Sequence, residues 1–162
     1  MQTARYLSVF LSVWIGIASA DEFKPPPMKD GLWETVVVQT TGGKKQPGTP
    51  PVKMCESKNF TESQTNDAKE LRKNDECSST VTKLSPDSYA EETQCKKGAN
   101  AGAVIKTLYS HQGDIASHTE MRFGQGQSET VVTMDSKWLG SCPAGMKPGD
   151  LMMDGKIIPG GN

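Results

Sequence analysis

Residues 77–95 read CSSTVTKLSPDSYAEETQC. Threonine, valine, serine and tyrosine dominate its two halves, and Ser85-Pro86-Asp87 between them has the chemistry of a tight turn. Cys77 and Cys95 each stand nine residues from Pro86. A hairpin centred on that turn sets the two cysteines opposite each other. Facing residues of a non-hydrogen-bonded antiparallel pair have Cα atoms about 4.5 Å apart, within disulfide reach. Pairing Cys77 with Cys95 leaves Cys55 for Cys142, a second bridge that fastens the end of the chain to an early strand.

Outward from this hairpin, the same pattern repeats. Ala103 to Ser110, Ile115 to Phe123 and Glu129 to Trp138 are strand candidates, and Lys97-Gly98-Ala99-Asn100, Gln112-Gly113 and Gly124-Gln125-Gly126 break them apart. Upstream, Leu32 to Thr40 (LWETVVVQT) and a short run from Val52 to Cys55 are also strand-like, separated by a Gly- and Pro-rich loop over 41–51. Short strands joined by short links imply an antiparallel meander. Asn59 to Lys73 lacks proline and glycine and reads as one short surface helix with a sparse apolar stripe of Phe60, Ala68 and Leu71. Gly140 to Asn162 reads as irregular, with Lys147-Pro148-Gly149-Asp150 as a tight turn. The expected fold is mainly β: a curved antiparallel meander sheet of about six or seven strands with one short helix.

The chain begins MQTARYLSVFLSVWIGIASA. Arg5, an apolar run from Tyr6 to Ala18 and the small residues Ala18-Ser19-Ala20 have the order and length of a cleavable signal peptide. The reading is therefore a leader over 1–20 and a single disulfide-bonded β-rich domain over 21–162. Four cysteines, all downstream of the leader, fit an exported chain in an oxidising compartment, periplasmic or secreted. A second long apolar run is missing, so no membrane span is expected after cleavage. Pro25-Pro26-Pro27 forms a stiff extended lead into the first strand.

The formal net charge of −1 excludes the basic field that nucleic acid recruits. Apolar residues make up only 35% of the chain, the leader included, so the core must be thin and cross-links must matter.

Chemistry-bearing residues are sparse. The sequence has no GxSxG, HExxH, Walker or GxGxxG motif and no CxxC. Glu91-Glu92 is an acidic pair on a strand, where neighbours point to opposite faces, which argues against a shared-proton dyad. No catalytic residue, cofactor or enzymatic activity is implied. Trp33 and Trp138, in the first and last of the long strand candidates, are either core anchors or the lining of a cleft for an apolar ligand. His111 and His118, with Met121, Met134, Met146, Met152 and Met153, offer an alternative in metal handling, though no spacing forms a chelate.

Lys29-Asp30-Gly31-Leu32-Trp33-Glu34, Met54-Cys55 and the closing block from Lys137 to Asp150 (KWLGSCPAGMKPGD) together resemble the bacterial exported family called domain of unknown function 3617. The resemblance implies an envelope protein and brings no established activity. The expectation is an exported, non-enzymatic periplasmic protein that binds a small apolar ligand or an envelope partner.

Overall fold

The computed structural model describes residues 28–98, 101–124 and 128–160. The leader, the proline arm and the tip of the 124–126 turn lie outside them. In chain order the elements are β1 (Gly31–Thr41), β2 (Lys44–Lys45), β3 (Val52–Glu56), α1 (Lys58–Asn74), β4 (Cys77–Ser85), β5 (Ser88–Cys95), β6 (Val104–Gln112), β7 (Ala116–Phe123), β8 (Thr130–Gly140), β9 (Leu151–Met153) and β10 (Lys156–Ile158).

All the strands join one open sheet in the order β10-β9-β3-β1-β8-β7-β6-β5-β4, with β2 paired to β1. Each named pairing is antiparallel. The segment from β4 to β8 is a meander; β8 then lies beside β1, so the first long strand and the last are neighbours. Across that seam Trp33 faces Trp138, and Leu139 is the extra residue of a β-bulge.

The class is as expected, and the strand count is larger because three strands of two or three residues were hidden in stretches that read as loop. Two of them are made by glycine-bearing two-residue turns. Gly42 and Gly43 have φ of 58° and 75°, and Asp154 and Gly155 have φ of 50° and 73°. Positive φ at both central residues is the twist that joins two strands tightly, so Gly42-Gly43 pairs β2 back on β1, and Asp154-Gly155 pairs β10 back on β9.

In the β4–β5 hairpin, Cys77 pairs with Cys95 and the register stays symmetric about Pro86 as far as Lys83 and Tyr89. Two departures cancel to produce this. Ser85 pairs directly with Ser88, which shortens the loop to two residues, and the register shift between Lys83 and Ser85 restores the alignment. Both disulfides are present: Cys77–Cys95, with Cα atoms 3.9 Å apart, and Cys55–Cys142, with Cα atoms 5.6 Å apart.

The core is thin. Among the described residues the buried apolar side chains are Trp33, Cys55, Cys95 and Met146. Strand alternation gives the sheet two unlike faces. One carries charged pairs: Glu34 with Lys53 and Lys137, Glu120 with Arg122, Glu92 with Lys106 and His118 with Asp135. The other carries Trp33, Val37, Tyr109, Met121, Val132 and Met134, and Arg72 of α1 reaches it at Glu91. Ser57 caps α1 by accepting from the Phe60 N–H.

The helix differs from expectation in its orientation. Thr61 and Thr65 are half-buried, Arg72 reaches the sheet, and Leu71 is 65% exposed. No residue of α1 is buried. Phe60 is the one half-buried apolar side chain of α1, and beyond Thr65 the helix is exposed, so α1 is a strap held at its two ends.

Candidate functional site

The strap is fixed at each end by a disulfide. Cys55 lies three residues before α1 and Cys77 three residues after it. At the first end, Asp30 accepts from the Lys58 N–H at 2.8 Å, and the Phe60 ring lies where a Cβ on Gly149 would fall. Glu56 accepts from the Thr61 hydroxyl at 3.3 Å, and burial pushes its carboxyl above the ordinary range.

The expected turn at Lys147-Pro148-Gly149-Asp150 is formed, closed by the Asp150 N–H donating to the Lys147 carbonyl at 2.9 Å. Gly149 has φ of 89°, the conformation that this position of the turn requires. The turn is zipped to Cys55 by two backbone bonds, Cys55 N–H to Asp150 O at 3.0 Å and Gly149 N–H to Cys55 O at 2.8 Å. The Asp150 carboxylate accepts from the backbone N–H groups of Lys147 at 2.7 Å and Gly160 at 3.0 Å. Those two bonds hold its carboxyl below the usual carboxylate range.

At the other end of the strap, Arg72 enters the sheet face. Its Nη1 donates to Glu91 Oε1 at 2.5 Å and its Nη2 to Oε2 at 3.4 Å. Thr93 donates to Oε1 at 3.3 Å and Tyr109 to Oε2 at 3.4 Å. The Glu91 side chain is only 2% exposed, so its charge is carried almost entirely by Arg72. Burial, followed by the Glu91 charge, pushes the Tyr109 phenol above its ordinary value, so Tyr109 remains an O–H donor at neutral pH.

Two cross-strand rows lead away from this cluster across the sheet. Glu91, Thr107, Met121 and Val132 face one another in succession, as do Tyr109, Thr119, Met134 and Val37. Apart from the buried Glu91 and Thr107 these side chains are half-buried. Along these two rows the face is polar over β5 and β6, and over β7, β8 and β1 it carries Met121, Val132, Met134 and Val37, with Thr119 among them.

Trp33 is buried, and its indole N–H donates to the Lys29 carbonyl at 2.8 Å. Trp138 is half-buried; its N–H donates to the Asp30 carbonyl at 3.1 Å, and the Lys29 ammonium sits 4.0 Å from the ring centroid. The two tryptophans therefore sit together at the β1–β8 seam, tied to the segment that enters β1.

The histidines do not meet. Ser110 pairs with His118 and His111 with Ser117, which sends the two rings to opposite faces. His118 shares its face with Asp135, its partner at 2.6 Å, and not with Met121 or Met134. Among the described residues no three His, Cys, Asp or Glu side chains gather as a metal site would require. A shallow groove of about 520 Å³ is lined by Glu34, Val36, His118, Asp135 and Lys137 of the charged face, and His111 borders it at the end of β6. Lys137 donates to Glu34 there and lowers its carboxyl pKa.

The sequence reading missed Arg72 and Tyr109 and set Glu91 aside. Its alternation argument does hold, since Glu91 points under the strap and Glu92 outward to Lys106.

The sequence model of a family described as protein of unknown function, DUF3617, matches residues 28–142. The chain belongs to this family. The match runs from the segment that enters β1 to the cysteine of the long clasp, so it covers β1 to β8, the strap and all four cysteines, while β9 and β10 lie beyond it. No curated protein and no solved structure matches this DUF3617 chain. No helix of the described residues is long and apolar enough to cross a membrane.

Proposed function

We propose that this DUF3617 protein is an exported, periplasmic or secreted, non-enzymatic protein that binds a small apolar ligand between α1 and the sheet. One observation carries the reading: a strap with no buried residue is held by two disulfides across a face whose Val37, Met121, Val132 and Met134 are only half-buried. Folding alone leaves this apolar surface incompletely covered, and a ligand with an alkyl chain would complete its burial at about 25 cal/mol per Å². The signal-like leader and the two disulfides support the compartment. His111 shares this face with Met121 and Met134, but its ring lies at the β6–β7 turn with Nδ1 3.1 Å from the Gly113 carbonyl, and His118 lies on the other face, so metal handling gains no support as a second reading.

Tryptophan fluorescence tests it, because Trp33 and Trp138 are the only tryptophans after the leader. Titration of purified protein with acyl-chain amphiphiles should give a saturable change, and Met121→Lys, which puts a charge in the centre of the face, should abolish it. Absence of a saturable response to every lipid class would overturn the reading and leave an envelope partner as the occupant of this face.

A further inference from the structure

We propose that the ligand is an uncharged amphiphile, with its hydrogen-bonding head at the Arg72–Glu91–Tyr109 cluster and its tail laid across β7, β8 and β1. The inference rests on the binding face proposed above and specifies the chemistry that it selects. Glu91 is the one charged side chain in the two rows described above, and Arg72 neutralises it at both oxygens. Tyr109 donates its O–H to Glu91 Oε2 and adds no charge. The polar end of the face is therefore rich in hydrogen-bonding groups and carries no net charge.

A carboxylate or phosphate head placed there would sit beside a buried carboxylate, and it could gain the guanidinium only by taking it from Glu91. A hydroxyl or ester carbonyl meets no such repulsion. A guanidinium has five N–H donors, and Glu91 occupies two of those on Arg72, whose side chain is 44% exposed and therefore reachable. From β5 to β1 is four strand spacings, about 19 Å, over which a long alkyl tail lies across Met121, Met134, Val132 and Val37.

The experiment is competitive displacement of the neutral fluorophore N-phenyl-1-naphthylamine from the disulfide-bonded protein. Monoolein and oleate, which share one tail and differ in head charge, serve as competitors. Monoolein should displace the fluorophore at a concentration about tenfold or more below that of oleate. Glu91→Gln keeps the shape and leaves Arg72 uncompensated, so it should move the preference at least about tenfold toward oleate. Arg72→Gln reads the same electrostatics with the sign reversed and should widen the monoolein preference, which keeps the test sharp if Glu91→Gln fails to fold. Equal or better displacement by oleate from the wild type, or a preference that neither variant moves, overturns the head-group assignment while leaving the apolar face intact. Failure of the fluorophore itself to bind overturns the apolar face and this assignment with it.

Discussion

Deleting each disulfide in turn should separate the two bridges by a known amount. Cys55–Cys142 spans 87 residues and Cys77–Cys95 spans 18. In the chain-entropy treatment the longer loop restrains the unfolded chain by about 4.6 kcal/mol and the shorter by about 3.2 kcal/mol. Truncation to alanine adds a packing loss to both, but that loss is matched. Each bridge has one buried cysteine, Cys55 at 2% exposure and Cys95 at 6%, and one half-buried partner. The difference of about 1.4 kcal/mol should therefore survive, and it corresponds to a factor of about ten in the unfolding constant. The assay is equilibrium unfolding in guanidinium of Cys55→Ala/Cys142→Ala and of Cys77→Ala/Cys95→Ala, followed by tryptophan fluorescence. Stabilities should come from linear extrapolation rather than from midpoints, because a lost cross-link changes the slope. Against a usual total of about 5–15 kcal/mol, both losses should be plain and the long-clasp variant should be the weaker. If the short-hairpin variant loses as much or more, the clasp is not acting through loop closure, and the account of how this thin-cored chain stays folded is wrong.

Three further substitutions have outcomes that follow from their positions. Gly31 has φ of 142°, and a Cβ there would run into the Gly140 carbonyl and the Trp138 indole, so Gly31→Ala should cost about 2 kcal/mol or more in the same unfolding assay. Gly48→Ala, in open space, should stay within about 0.5 kcal/mol of wild type. Asp150, whose carboxyl is held below its ordinary 3.8 by the Lys147 and Gly160 N–H groups, stabilises the fold fully above that value and loses its effect as pH falls through the lowered one. Asp150→Asn should therefore lower the denaturation midpoint at pH 7, and the gap to wild type should shrink as the pH falls below 3.8; an undiminished gap at acid pH would show that the charge is irrelevant there.

The parts of this fold that could be read from the sequence are those set by neighbours in the chain. The β4–β5 hairpin, its disulfide and the meander through β8 all follow from alternation and from turns such as Ser85-Pro86-Asp87. Two short hairpins were equally local and still missed. Gly42-Gly43 sat in a run of glycine and proline that reads as loop, and Asp154-Gly155 joins strands too short to show alternation. Non-local choices left weaker traces. Nothing in the residues around Trp33 says that β1 lies between β3 and β8, so the meeting of Trp33 with Trp138 was out of reach. The binding face suffered the same way. The expected stripe of Phe60, Ala68 and Leu71 follows apolar content, whereas the rotation of α1 is set by where Arg72 finds Glu91, a partner nineteen residues on.

The placing of the cysteines also imposes an order in time. A chain that emerges N-terminus first presents Cys55, then Cys77 and Cys95, and only much later Cys142. During that interval Cys55 has two wrong partners in the chain, and local closure of the β4–β5 hairpin would remove both of them. The bulge at Leu84 that brings Cys77 opposite Cys95 thus does more than align a finished sheet. It sequesters the early thiols, so that the last cysteine to appear finds the first one still waiting.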